Sequence, residues 1–200
     1  MNLLSIIAYT GTFVFALTGA LKARSHRMDV FGAAVLAFVT AYGGGTIRDL
    51  LLGIRPVNWV NDYIALSLVA AALLIVSLMN RSFIKFKRAI FLTDAVGLGM
   101  FTSAGIEISF QHDVNSLYAV IMGVISATFG GLLADILSNT LPDLLKHGEL
   151  YATACLIGGI AYVIMQKLGI SHEAGLICCV LIVVAVRIIS KIKRLTLPDI

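Results

Sequence analysis

Two hundred residues, 59% of them hydrophobic and only 13% charged, with a formal net charge of +4, exclude a soluble globular domain, which averages about 45–50% apolar and about 25% charged residues. The composition is that of an integral membrane protein. The positive balance does not read as a nucleic-acid surface, because the basic residues cluster at the ends of apolar runs.

A membrane-spanning helix needs roughly 20 predominantly apolar residues. Seven such stretches follow one another at 3–21, 30–52, 60–79, 90–109, 115–138, 150–167 and 173–190. They leave no room for a soluble domain. The first has no basic residue before it and Lys22, Arg24 and Arg27 after it, the reverse of a secretory signal, so it is expected to be a retained helix. Cys155, Cys178 and Cys179 fall in the last two spans without ligand spacing. They form neither a disulfide framework nor a zinc site and are expected to pack as small hydrophobes.

Seven spans place the termini on opposite sides. Lys22, Arg24, Arg27, Arg81, Lys85, Lys87, Arg88, Lys146, Arg187, Lys191, Lys193 and Arg194 fall on one side, and Arg48, Arg55 and Lys167 on the other, 12 against 3. Cytoplasmic loops carry the excess of Lys and Arg. The expected localisation is therefore a bacterial-type inner membrane, with the N-terminus outside and the C-terminus cytoplasmic. Trp59 and Tyr63 then belong at the outer interface, where amphipathic rings collect.

Shifted by 86 residues, the chain matches itself without a gap. Gly11, Phe15, Gly19, His26, Ala33, Ala41, Gly44, Gly45, Asp49, Leu51 and Pro56 meet Gly97, Phe101, Gly105, His112, Ala119, Ala127, Gly130, Gly131, Asp135, Leu137 and Pro142, giving 11 identities over positions 9–56. Each copy holds three spans. An odd number inverts the second copy, the pattern of inverted-topology repeats. The expected organisation is one transmembrane domain, with repeat one at 1–86, repeat two at 87–170 and an extra helix at 171–200.

Glycine in a helix interior costs about 1 kcal/mol relative to alanine, so Gly43–Gly45 and Gly130–Gly131 are expected to break the second and fifth spans. Freed backbone groups in a bilayer are tolerated where protein or water satisfies them. Carbonyls of residues 40–44 become a candidate site for transient cations near Gly43 and Gly44. Small residues also let helices pack closely, and Ala33, Ala37, Ala41 and Gly45 form such a stripe, as do Ala119, Gly123, Ala127 and Gly131. Arg48 and Asp49 point about 100° apart on a helix and each needs its own partner. A contact of Arg48 with Asp135 is one option. Charges at this depth mark polar paths. Asp94 is a candidate cation attractor at a pore mouth. Glu107, His112 and Asp113 read as solvated loop residues, as do His26, His147 and His172, and Arg187 reads as a snorkelling end residue. Hydroxyls of Tyr9, Thr10, Thr12, Thr18, Tyr42, Thr46, Ser126, Thr128 and Ser138 could line a wet path.

The motifs "GGGTIRD" at 43–49 and "FGGLLAD" at 129–135, with the three-plus-three-plus-one layout, resemble the trimeric intracellular cation channel family in its prokaryotic branch, whose bacterial members also carry a glycine-transport label. The resemblance implies a homotrimer in membrane lipid, with a pore in each protomer running past two kinked helices and passing monovalent cations, chiefly potassium. Carried over by motif, Gly43, Gly44, Gly45, Arg48 and Asp49 form one half of the pore and Gly130, Gly131 and Asp135 the other. No long basic tail like that of the animal members is found, so their lipid and calcium regulation is not carried over. A secondary transporter of glycine or another small neutral solute is the alternative. An enzyme is not expected: "HE" at 172–173 lacks the second histidine of a zinc motif, and Ser103 sits in "TSAG". No resident cofactor and no nucleic-acid partner are expected.

Overall fold

The computed structural model describes residues 2–79, 86–146 and 150–196. Arg81, Lys85 and His147, used above, lie outside the described residues. Seven α-helices follow in order, α1 (Leu3–Ser25), α2 (Val30–Leu51), α3 (Tyr63–Leu78), α4 (Phe86–Phe110), α5 (Ser116–Leu137), α6 (Ala152–Lys167) and α7 (His172–Lys193), with a 3₁₀ turn at Asp143–Leu145 between α5 and α6. No strand occurs among the described residues. Among the described residues five helices are long and apolar enough to cross a membrane, and α3 and α6 are apolar but shorter.

The helix starts are written in the sequence as caps. Asn2, Asp29, Asp62, Asn115 and Ser171 accept the backbone N–H three residues on, at 2.9, 2.7, 3.0, 3.2 and 3.3 Å, which satisfies one of the orphan donors of a first turn. The ends are equally local. After α2 the chain turns at Gly53 with φ +74°, and Ile54 N–H reaches back to Asp49 O at 2.8 Å, a left-handed helix stop that glycine adopts without strain.

These devices recur 86 residues on. Thr140 N–H returns to Asp135 O at 2.9 Å after α5, over a left-handed Asn139. Met28 and Val114 return to Ala23 and Ser109, both at 3.1 Å, over left-handed Arg27 and Asp113. Packing follows the same offset reciprocally. Gly11 lies against the ring of Phe101 and Gly97 against the ring of Phe15, and the two rings stack with centroids 5.1 Å apart and planes 9° apart. Residue i meeting j while the mate of j meets the mate of i is what a two-fold relation requires. The pairings also fix direction, since α1 runs antiparallel to α4 and α2 to α5. Outside this double layer, α7 closes on α4 and α6, with Gly99 against Val180 and Gly158 against Val183 and Cys179. Cys155, Cys178 and Cys179 are free thiols, the first and last of them buried.

The breaks expected in the second and fifth spans are not found. α2 is helical without interruption through Gly43–Gly45, and α5 through Gly130–Gly131. The physical reason is the neighbour. A Cβ on Gly44 would stand 2.1 Å from Ser126 O, and one on Gly130 2.3 Å from Thr40 O. These glycines let two antiparallel helices touch backbone to backbone at symmetry-related points, and that close contact outweighs their poor helix propensity. The cation site expected on the carbonyls of residues 40–44 falls with the break, because those carbonyls belong to a continuous helix and the Tyr42 carbonyl also accepts the Thr46 hydroxyl at 2.8 Å.

Candidate functional site: two polar cavities at opposite ends of the helix bundle

The N-termini of α1, α3, α5 and α7 define one end of the bundle, here the N-terminal end. There a cavity of about 270 Å³ opens between α1, α2, α4 and the loop 52–62. Gly45, Arg48 and Asp49 line it with Tyr42, Trp59 and Asp62. Arg48 and Asp49, expected to point apart, are instead paired. The long arginine folds onto the carboxylate, Nε and Nη2 reaching Oδ1 at 3.0 and 2.6 Å, while Nη1 reaches Ser126 Oγ on α5 at 3.1 Å. Asn58 completes the carboxylate, its N–H donating to Oδ2 at 2.9 Å and its Nδ2 to Oδ1 at 3.2 Å. Both charges are buried. A buried ion pair survives when further hydrogen bonds satisfy its remaining atoms, and here they do. Trp59, expected at the lipid interface, folds inward. Its Nε1 donates to Thr46 Oγ1 at 2.9 Å and its ring packs on Phe38 and Tyr42.

The three-way fork is something only a guanidinium can make. Arg48→Lys keeps the charge but cannot hold Asp49 and Ser126 together. Charge-assisted hydrogen bonds are worth about 1.5–3 kcal/mol, so this variant is expected to lose about that much stability, read as a lowered melting temperature in detergent.

At the other end, a cavity of about 720 Å³ is lined by Asp94, Asp143, Tyr151, Arg187, Lys191 and neighbours. Asp94, deep in α4, accepts from Tyr151 Oη at 3.1 Å and faces Arg187 Nη2 at 3.6 Å. Arg187 is no snorkelling residue. It is buried, with its guanidinium 4.9 Å from the Phe91 ring centre and 4.8 Å from that of Tyr151, a cation–π arrangement. Beside this group, Asp135 pairs with Lys22 at 2.7 Å rather than with Arg48, and accepts the Asp143 N–H at 3.0 Å. Asp143 stands 3.6 Å from Lys22 and 2.5 Å from Lys146. Burial pushes the Asp143 carboxyl up, but Lys146 and Lys22 outweigh it and hold it below its ordinary value.

The remaining candidates divide plainly. Gly43 packs on Leu133 and Gly130, and a Cβ on Gly131 would stand 3.0 Å from the Tyr151 hydroxyl. Thr128 bonds back to Val124 O at 2.8 Å and lines neither cavity. Thr10, Thr12, Thr18 and Ser138 likewise bond the carbonyl four residues before them. Glu107, expected in a solvated loop, lies within α4 and accepts a short hydrogen bond from the buried Tyr162. His112 and Asp113 are exposed where α4 ends. On α4 the two cavity linings are seven residues apart, from Asp94 to Phe101. That is roughly 10 Å of helix, filled by fully buried Leu98 and the stacked Phe15–Phe101 pair.

A family model described as "Glycine transporter" matches residues 5–80 and 91–167. The chain belongs to the glycine-transporter family. The two matched segments begin 86 residues apart, the offset of the internal repeat. The chain is 39% identical over 203 residues to a UPF0126 membrane protein of Vibrio cholerae, covering 98% of this chain and 82% of that one. It is 44% identical over 155 residues to the UPF0126 inner membrane protein YadS of Escherichia coli K12, covering 76% and 73%. Among solved structures, a TRIC cation channel studied for its conductance superposes with a TM-score of 0.88 at 36% identity, covering 100% of this chain and 98% of that one. The TRIC trimeric intracellular cation channel orthologue from Rhodobacter sphaeroides gives 0.87 at 33%, covering 98% and 100%. This member of the glycine-transporter family is a multi-pass membrane protein with the seven-helix fold of those channels.

Among the residues of this family member's polar sites, Lys22, Asn58, Asp62, Asp143 and Tyr151 were not singled out as site residues in the sequence. Lys22 looked like the flank of a span ending at residue 21, yet α1 runs on to Ser25. Arg187 carried a usable signal. Cys179, Val183, Arg187 and Ser190 are buried at helical spacing on one face of α7, so the arginine points inward. Asn58 lies in a loop, and nothing in its neighbours foretells that it closes on Asp49.

Proposed function

We propose that this chain forms a cation channel, permeable to potassium, with a pore in each protomer of a homotrimer. The observation that carries the reading is the full-length match, at a third or more identity, to channels described as trimeric and cation-conducting. The two polar cavities support it, since they enter the bundle from opposite ends and are both walled by the antiparallel α2–α5 core or its partners. Gly45, Arg48, Asp49 and Ser126 serve the N-terminal mouth, and Asp94, Asp135 and Gly131 the other. Ion passage then requires the packed stretch of roughly 10 Å around Phe15 and Phe101 to part. The distribution of basic residues supports an outside N-terminus and a cytoplasmic C-terminus.

The test is purified protein in liposomes under a potassium gradient. Potassium flux driven by potential, with no added solute, is expected. Saturable glycine uptake that needs an ion gradient, without single-channel currents, overturns the channel in favour of a transporter, since a transporter closes one side at a time.

A further inference from the structure

The cavity at the N-terminal end holds polar groups that the Arg48–Asp49 pair does not use. Asp62 caps α3 through Oδ1, at 3.0 Å from the Ala65 N–H, and has no ion-pair partner among the described residues. Tyr42, only 6% exposed, carries a hydroxyl with no hydrogen-bond partner among the described residues. Tyr9 lines the same cavity and faces the Asp62 carboxylate. Arg48 and Asp49 cancel, and the other ionisable side chain on this wall is His112. What remains is one carboxylate, two phenolic oxygens and an aromatic face built by Tyr42 and Trp59, whose ring centres are 5.4 Å apart.

A buried hydroxyl left unpaired needs an explanation, and such an oxygen in one cavity with a carboxylate that has no ion-pair partner among the described residues is half of a cation site. Hard oxygen donors suit alkali and alkaline-earth ions. A divalent ion is held by more oxygens and usually more carboxylates than this wall offers, and aromatic faces attract cations of low hydration cost. We infer that Asp62, Tyr42 and Tyr9 form a binding site for a small monovalent cation, a dwell point at the N-terminal mouth. As an entry point it rests on the channel reading, but binding can be measured without conduction.

The experiment uses the full chain and ⁸⁶Rb⁺ as probe, with equilibrium binding in detergent and potassium flux in liposomes measured on the same preparations. Asp62→Asn removes the charge and keeps the cap, because asparagine caps as well as aspartate. Tyr42→Phe removes the hydroxyl and keeps the ring. Asp62→Asn is expected to weaken ⁸⁶Rb⁺ binding about tenfold and to raise the potassium concentration for half-maximal flux by the same factor, with melting temperature unchanged. Tyr42→Phe is expected to weaken binding by a smaller factor. Wild-type binding that neither variant alters overturns the site, even if the protein conducts. Binding that depends on Asp62 in a protein that conducts nothing supports the site and overturns the channel.

Discussion

Alanine at Gly44 or Gly130 is expected to destabilise the protein by at least about 3 kcal/mol, while alanine at Gly45 leaves it unchanged or slightly more stable. Inserting extra atoms into a packed interior costs typically about 1–3 kcal/mol because neighbours must shift. At Gly44 and Gly130 the atoms in the way are backbone carbonyl oxygens at 2.1 and 2.3 Å, which cannot rotate aside as a side chain does. The helices themselves must separate, and with them the whole α2–α5 contact. Gly45 differs by one residue and one direction. Its nearest obstacle is the tip of Arg48 at 3.7 Å, so a methyl group fits and helix propensity favours it by up to about 1 kcal/mol. For a chain of this length a loss of about 3 kcal/mol corresponds to roughly 6–12 °C in melting temperature, measurable by size-exclusion chromatography of heated samples in detergent. If the glycines served to unwind the helix, Gly45→Ala would harm flux as much as Gly44→Ala and neither would be specially unstable. That result would overturn the packing role.

The same glycines show what was legible in the sequence. Their positions, their pairing across the repeat and the inversion all follow from an offset of 86 residues, because a duplicated segment keeps its capping, turning and packing residues together. Seven helices follow from apolar run length alone. The role of Gly44 and Gly130 did not follow, because a helix that unwinds and a helix touched closely by another have the same local composition. Only the position of Ser126 and Thr40 on the opposing helices separates them. Lys22 and Asp135 illustrate the complementary loss. Charge at the edge of an apolar run is read as solvated unless a partner is known, and the partner lies 113 residues away. Arg48 and Asp49 were found because they stand next to each other inside a span. The angular rule for neighbouring residues then misled, since it describes Cβ directions and not the reach of a guanidinium.

Lys22→Met is expected to be the most damaging single charge change. The Lys22 and Asp135 side chains are 9% and 7% exposed and 2.7 Å apart. Removing one partner of such a pair leaves the other charge buried without compensation, at about 3–5 kcal/mol. The two partners are not equivalent. Without Lys22, Asp135 keeps, among the described residues, a single side-chain hydrogen bond from the Asp143 N–H and no cation. Without the Asp135 charge, Lys22 still has Asp143 at 3.6 Å, and asparagine at 135 can still accept the Asp143 N–H. Asp135→Asn should therefore lose less than Lys22→Met. The double change Lys22→Met with Asp135→Asn should recover most of the loss, because both charges go and nothing is left to desolvate. Melting temperatures of the four proteins decide it. Equal losses in the two single variants, or a double variant no better than Lys22→Met, would mean that Lys22 is held by the wider Asp94–Asp143 field rather than by its one close partner.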